Sequence, residues 1–208
     1  MKKVDVFLAT SSAGKVRQIK EACLFYYMER HGTNVIPYRF HTVTPKRDLH
    51  VVEDSQTLTG NAYKKAEAYG DRYQMWTIAD DSGLFVTALN GRPGLHSHRD
   101  GWNAQKVVQV LEHTTDRRAY LMTVGVLHCP NCPKSYYSTQ RMQWGKVVDL
   151  PSDLESGYGY DSIFVPDTSQ QMTVVDALRS GKNRADLEYP RTMAMMELFA
   201  ILHLEAAM

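Results

Sequence analysis

Several features that would classify this 208-residue chain quickly are missing. It has no charge excess: 24 lysines and arginines stand against 23 aspartates and glutamates, a formal net charge of +1. Proteins built around a nucleic-acid polymer carry a basic surplus, because phosphate contacts dominate their affinity. No such polymer is expected as a partner. Long hydrophobic runs are also missing. The most apolar stretch, residues 193–204, is broken by Glu197 and His203, whereas a membrane span needs about 20 apolar residues. Lys2-Lys3 is followed at once by Asp5, and residues 6–9 are too few for the apolar part of a signal segment. A cytoplasmic protein without a membrane is therefore expected. Cysteine is scarce and odd in number: Cys23, Cys129 and Cys132. That excludes a disulfide framework and makes a reducing setting the default. The remaining composition, 43% hydrophobic and 23% charged, excludes disorder. A chain this long buries roughly 70% of its unfolded surface, enough for one large core or two small lobes.

Hydrophobic periodicity predicts interleaved strands and helices. Residues 4–9 read as a buried strand, and Thr10-Ser11-Ser12-Ala13-Gly14 as a small-residue loop. A helix follows from Lys15, stopping at Gly32. Val35-Ile36 begins a second short strand, and residues 38–52 read as irregular or edge structure. Residues 55–73 form a helix, with Gly60 costing about 1 kcal/mol against alanine. Residues 75–79 and 84–88 read as two strands separated by Asp80-Asp81-Ser82-Gly83. A helix over 103–113, strands over 120–128 and 135–144, a strand over 162–165 and a helix over 192–204 complete the pattern. The expectation is a mixed α/β fold, read as one continuous domain over residues 1–208.

Four constellations could carry chemistry. The strand, small-residue loop and helix-opening Lys15 suit phosphate oxygens, since loop and helix N–H groups point outward there. The pattern is not a P-loop: Thr10 stands where the first glycine belongs, and Val16 follows the lysine. An ordinary strand-to-helix turn explains it equally. The second is acidic. Asp80-Asp81 closes a strand and Glu53-Asp54 precedes a helix; such carboxylates suit Mg²⁺, which takes one or two of them and fills its shell with water and phosphate. They also suit a plain turn and a solvated cap. The third is Gly157-Tyr158-Gly159-Tyr160-Asp161. Its glycines admit close backbone approach, its aromatics offer a face for a base, and its carboxylate accepts from a purine edge. A hairpin loop is the bland alternative. The fourth is Cys129-x-x-Cys132 beside His128. Tetrahedral zinc needs four ligands and no second pair is present, so a tight turn through Pro130 and Pro133 is the simpler purpose.

Taken in order, these motifs resemble the inosine triphosphate pyrophosphatase family. Ala9-Thr10-Ser11-Ser12-Ala13-Gly14-Lys15 is similar to its opening A-T-x-N-x-x-K. Glu53-Asp54, Thr57, Asn61-Ala62 and Lys65-Ala66 follow its next helix. Residues 80–99 match its D-D-S-G-L stretch at nearly every defined position. Tyr158-Gly159-Tyr160-Asp161-Ser162-Ile163-Phe164 resembles its aromatic-G-[YW]-D-P-x-F. Thr173 and Lys182 keep a later spacing.

The resemblance implies an elongated, two-lobed mixed α/β protein with a central twisted mixed sheet flanked by helices. The nucleotide would lie in a cleft between lobes, and the protein would be a homodimer. It implies hydrolysis of ITP, dITP and XTP to the monophosphate and pyrophosphate. Glu53 and Asp81 would hold Mg²⁺, and Asp81 would also orient or deprotonate the attacking water. Thr10, Ser12, Lys15, Lys65 and Lys182 would clamp the triphosphate, Ser82 and Gly83 line the pocket, and Tyr158, Gly159, Tyr160 and Asp161 cradle the base.

Departures from the pattern matter as well. Ser12 replaces an asparagine, Gly60 a glutamate and Ser162 a proline. The family's S-H-R past the lysine is missing. Ungapped, Asp186-Leu187-Glu188 occupy its place; a three-residue insertion brings Tyr189-Pro190-Arg191 instead and keeps Arg191. The histidine is absent either way. A site that loses a donor to the purine 6-oxo group discriminates less against 6-amino purines. The alternatives to be kept are therefore a specialised pyrophosphatase for a standard or modified dNTP, a nucleotide-binding protein without turnover, and a zinc-binding module.

Overall fold

A computed structural model describes residues 3–97, 99–132, 135–150 and 159–207. Within these residues the strands are β1 (Val4–Leu8), β2 (Tyr38–Thr42), β3 (Trp76–Val86), β4 (Arg118–His128), β5 (Tyr136–Val147) and β6 (Phe164–Pro166). The helices are α1 (Ala13–His31), α2 (Leu58–Tyr73), α3 (Ala104–Val110), α4 (Val174–Arg179) and α5 (Pro190–Glu205). The strands form one sheet in the order β2-β1-β3-β4-β5-β6. It is mixed: β1 runs parallel to both β2 and β3, while β5 and β6 are antiparallel. The fold is mixed α/β, as the interleaved pattern implied.

Local chemistry fixes the helix ends. Ser12 caps α1, its hydroxyl accepting from the Lys15 backbone N–H at 3.3 Å. Gly32 closes α1 in the left-handed region at φ 61°, donating back to the Met28 carbonyl. Thr57, Asn103 and Thr173 cap α2, α3 and α4 in the same way as Ser12. Thr173 thus has a structural role, and the short helix it starts was not foreseen.

Two strand assignments change. β2 is Tyr38–Thr42 rather than a strand from Val35: Tyr38 is buried and Val35 exposed, so the core selects the later residues. Residues 75–88 do not form two strands around a turn. β3 is continuous through Asp80-Asp81-Ser82-Gly83, because both aspartates meet cationic or amide partners inside the fold. Gly83 completes it: a Cβ there would lie 2.9 Å from the Gly94 carbonyl oxygen.

The chain divides into two units, the first Met1–Asp81, Thr123–Arg141 and Arg191–Met208, the second Ser82–Met122 and Met142–Pro190. In the first, Val6, Phe7, Leu8, Ile19, Ile78, Leu198 and Phe199 are buried. Phe7 stacks on Tyr69 and Tyr73 of α2 at centroid distances of 5.2 and 4.8 Å. In the second, Leu84, Leu111, Leu121, Ile163, Phe164 and Leu187 form a separate core.

Cys129 and Cys132 are joined in a disulfide, with Cα atoms 5.5 Å apart. The count of three cysteines does not predict this bond. The turn between β4 and β5, where the Cys132 N–H meets the Cys129 carbonyl, brings the pair within bonding range. Both sulfurs are used in that bond, which removes the basis for a zinc site. No described helix is long and apolar enough to cross a membrane.

Candidate active site

β1 ends and α1 begins at Thr10 and Ser12. Thr10 Oγ1 accepts from the Ser12 N–H at 3.2 Å, so both hydroxyls order the loop that opens α1. Lys15 follows in the first turn. Its Nζ lies 3.1 Å from Asp80 Oδ2. The β1–β3 pairing ends at Leu8 and Ile78, with the Ala9 N–H donating to the Ile78 carbonyl. Asp80 therefore stands within β3, two residues past the point where its parallel pairing with β1 ends.

Asp80 Oδ2 also accepts from Arg191 Nε at 3.0 Å, and Arg191 Nη1 donates to Gln18 Oε1. Burial alone would push the Asp80 carboxyl up. Lys15, Arg191 and Lys65 overrule it and hold Asp80 well below the usual carboxylate range. Lys15 is pushed down from the ordinary lysine value, first by burial and then by Arg191 and Lys65.

Asp81 lies in a different environment. Its Oδ2 accepts from Asn61 Nδ2 at 3.1 Å, and Lys65 Nζ is 4.0 Å from its Oδ1. Burial pushes the Asp81 carboxyl up, and the Glu53 charge adds to that against the pull of Lys65 and Lys15. Glu53 Oε2 sits 2.9 Å from the same Lys65 Nζ. Asn61 Oδ1 accepts from the Ser55 N–H at 3.0 Å, which ties the segment carrying Glu53 to α2. Gly60 permits this turn, since a Cβ there would lie 1.9 Å from Ser55 Oγ.

Two carboxylates converging on one ammonium, one of them poorly solvated, form a donor set deficient in positive charge. Hard oxygen donors of this kind fit a divalent cation that keeps further positions for water and phosphate. Among the described residues no group of three or more histidine, cysteine or acidic side chains could hold a metal alone.

The first unit thus brings together Thr10, Ser12, Lys15, Glu53, Lys65, Asp81 and Arg191. Lys182, Ser82, Gly83, Gly159, Tyr160 and Asp161 belong to the second unit. Tyr158 lies outside the described residues. Gly83 has a packing reason of its own against Gly94 and Phe85. The Tyr160 hydroxyl meets Ser97 Oγ, and its ring packs on the second core. Asp161 is buried and already engaged: Arg184 Nη2 donates to Oδ2 at 3.0 Å and the Tyr189 hydroxyl to Oδ1 at 2.7 Å.

The motifs do not single out Gln18 or Tyr189 as site residues, and they give Asp80, Asn61 and Arg184 none of the partners seen here. Asp80 carried a readable signal. Neighbours on a strand point to opposite faces, so two adjacent aspartates have two different partners. Gln18 lies one helical turn after Lys15 and shares its side of α1. Arg184, with Asp186 and Glu188, lies in the inserted segment that could read a different base; Tyr189 carries no comparable signal.

Lysines, an arginine and acidic residues gathered where the β1–β3 pairing ends form, in a mixed α/β fold, an arrangement suited to phosphate. The comparisons are narrower. The Ham1 family model matches residues 6–200, and the chain belongs to that family. It is 30% identical over 180 residues to a dITP/XTP pyrophosphatase of Aquifex aeolicus, covering 79% of this chain and 81% of that protein. It is 32% identical over 187 residues to a dITP/XTP pyrophosphatase of Staphylococcus epidermidis, covering 86% and 88%. The solved Staphylococcus aureus Ham1 protein superposes with a TM-score of 0.69 at 28% identity, covering 97% of this chain and 99% of that one. A Coxiella burnetii HAM1 protein, 23% identical with a TM-score of 0.71, shares the fold.

Proposed function

We propose that the chain is a nucleoside triphosphate pyrophosphatase. It hydrolyses dITP, ITP and XTP to the monophosphate and pyrophosphate, with residues 1–208 acting as one pyrophosphatase domain. The observation that carries this reading is the geometry at two neighbouring aspartates of a family member: Asp80 Oδ2 lies 3.1 Å from Lys15 Nζ and 3.0 Å from Arg191 Nε, while Asp81 meets Asn61 and Lys65. Asp80 is held anionic by cations, while the Asp81 carboxyl is raised by burial. Neighbours whose environments push them apart take different roles.

Asp81 is the base. A raised carboxylate accepts a proton more readily than an ordinary one. It orients the attacking water and takes its proton as the oxygen closes on the α-phosphorus. Asp80, held low between Lys15 and Arg191, is too weak a base for that role. Lys15, Lys65, Lys182 and Arg191 oppose the charge of the triphosphate, which grows on the bridging oxygen as pyrophosphate leaves. Thr10 and Ser12, whose hydroxyls order the loop that opens α1, help clamp the triphosphate. Glu53 and Asp81 would hold the divalent cation, read as Mg²⁺, which when bound screens phosphate charge. Ser82 and Gly83 line the pocket, and Tyr158, Gly159, Tyr160 and Asp161 cradle the base, with Tyr160 supplying the stacking face.

The homodimer follows from the resemblance alone, and the cytoplasmic setting from the composition and the cysteine count.

A second reading, altered base selectivity, is favoured by Asp161. Both its oxygens are engaged by Arg184 and Tyr189, and the family histidine is absent. Intact Glu53, Asp81 and Lys15 oppose a non-catalytic binding role. The test is pyrophosphate release from dITP, XTP, dATP, dGTP and modified dNTPs, with Mg²⁺ and with a chelator. The first reading expects dITP and XTP to be consumed fastest, and only with the cation. Equal or faster use of a 6-amino purine establishes the second, and no release from any triphosphate contradicts both.

A further inference from the structure

We infer that Asp80 is a positioning residue for the reaction, whose buried carboxylate fixes Lys15 and Arg191 in one arrangement. This deepens the proposed function and rests on its placing of those two cations at the triphosphate.

Asp80 Oδ2 lies 3.1 Å from Lys15 Nζ and 3.0 Å from Arg191 Nε. One oxygen thus joins the start of α1 to the first turn of α5, with Asp80 and Arg191 standing 111 positions apart. The Asp80 side chain is 0% exposed and Arg191 9%, while Lys15 keeps 26% of its surface. The aspartate and arginine are therefore enclosed, and the lysine is the member left open toward a ligand. Two cations held this close repel one another unless an anion lies between them. Gln18 closes the arrangement from the other side, since its Oε1 accepts from Arg191 Nη1. The guanidinium is thus held at two nitrogens and cannot swing. A carboxylate so committed does no proton transfer. Its contribution is to hold Lys15, the open member, in a fixed place beside the enclosed Arg191, so that little reorganisation remains when charge develops on the phosphate oxygens.

The test measures kcat and KM for pyrophosphate release from dITP in wild type, Asp80→Asn, Arg191→Gln and the double variant. A melting curve on each reports folding. Asparagine keeps the volume and one oxygen of Asp80 but removes its charge. Each single variant is expected to lose about 30-fold or more in kcat with KM within about threefold, because the lost interaction serves the transition state. The double variant is expected to be no more than about threefold slower than the slower single, since residues acting as one unit do not add. Losses that multiply in the double variant overturn the inference. So does a lower melting temperature with kcat per folded molecule unchanged, the outcome of a merely structural role.

If Asp80→Asn fails to fold, Arg191→Lys carries the test. Lysine keeps the charge, but its single nitrogen cannot reproduce the separate bonds to Asp80 and Gln18. A kcat reduced about tenfold with KM unchanged supports the inference, and a wild-type kcat overturns it. A wild type that releases no pyrophosphate removes the functional reading and this inference together. An active wild type with multiplying losses removes the inference alone.

Discussion

Asp80 and Asp81, adjacent on β3, are driven in opposite directions by their surroundings: Lys15 and Arg191 hold the first low, and burial lifts the second. The division of labour in the proposed mechanism follows from that pair. Asp81→Asn is expected to lower kcat by about 10²–10⁴, the usual range for a lost general base. The fold survives, because asparagine keeps one oxygen for the Asn61 amide and Lys65 keeps Glu53. Stability moves the other way. A carboxyl raised in the folded state stabilises below its unfolded value, and that contribution is lost as pH rises through the raised value. Near neutrality the ionised Asp81 is therefore a cost, and Asp81→Asn should melt at or above the wild-type temperature. A clear fall in melting temperature would contradict the assigned environment.

Lys15 gives a pH signature. Its ammonium is pushed below the ordinary 10.5 by burial, Arg191 and Lys65. As pH rises, it therefore loses its charge before a free lysine would. The kcat/KM profile, which reports free-enzyme groups, should fall on its alkaline side below that value. Arginine stays charged throughout, so the limb should vanish in Lys15→Arg. A limb unchanged in that variant would assign it to another group.

The Asp161 cluster is a stability element whatever it does to the base. Arg184 and Tyr189 occupy both oxygens of a carboxylate that is 4% exposed. Removing the guanidinium in Arg184→Met leaves a buried charge short of its cation and should cost about 3–5 kcal/mol. Tyr189→Phe removes one hydrogen bond to a charged group and should cost about 1.5–3 kcal/mol. Denaturant melts check both, and losses below about 0.5 kcal/mol would show an exposed site.

Gly60 separates propensity from packing. Propensity alone says Gly60→Ala stabilises α2 by about 1 kcal/mol. The position of Ser55, whose Oγ and Cβ would lie 1.9 and 2.8 Å from the new methyl, says the reverse. We expect a loss of about 1–3 kcal/mol, as for other overpacked sites. Stabilisation in a thermal melt would contradict the Ser55–Asn61 turn.

The same contrast shows what was legible in the residues. Periodicity located α1, α2, β4, β5 and α5, because each has a face that must be buried. Gly32 marked the end of α1 because only its left-handed conformation closes the helix. β3 was misread because Asp80-Asp81-Ser82-Gly83 has turn composition. Lys15 and Asn61, which let aspartates remain in a strand, lie far off in sequence. Asp81, Lys15 and Glu53 could be found from motif spacing. Asp80's double partnership and the Arg184–Asp161–Tyr189 cluster depend on contacts 23 to 111 residues apart, which no local pattern encodes. The Cys129–Cys132 bond was missed because composition argued from the count of three, while the turn decides which two meet.

The most direct test of the central claim is where the water oxygen goes. Turnover of dITP in H₂¹⁸O should place the label in the nucleoside monophosphate, with unlabelled pyrophosphate as the other product, and should cease in Asp81→Asn. Label in the pyrophosphate, or release of orthophosphate as the first product, would contradict attack at the α-phosphorus.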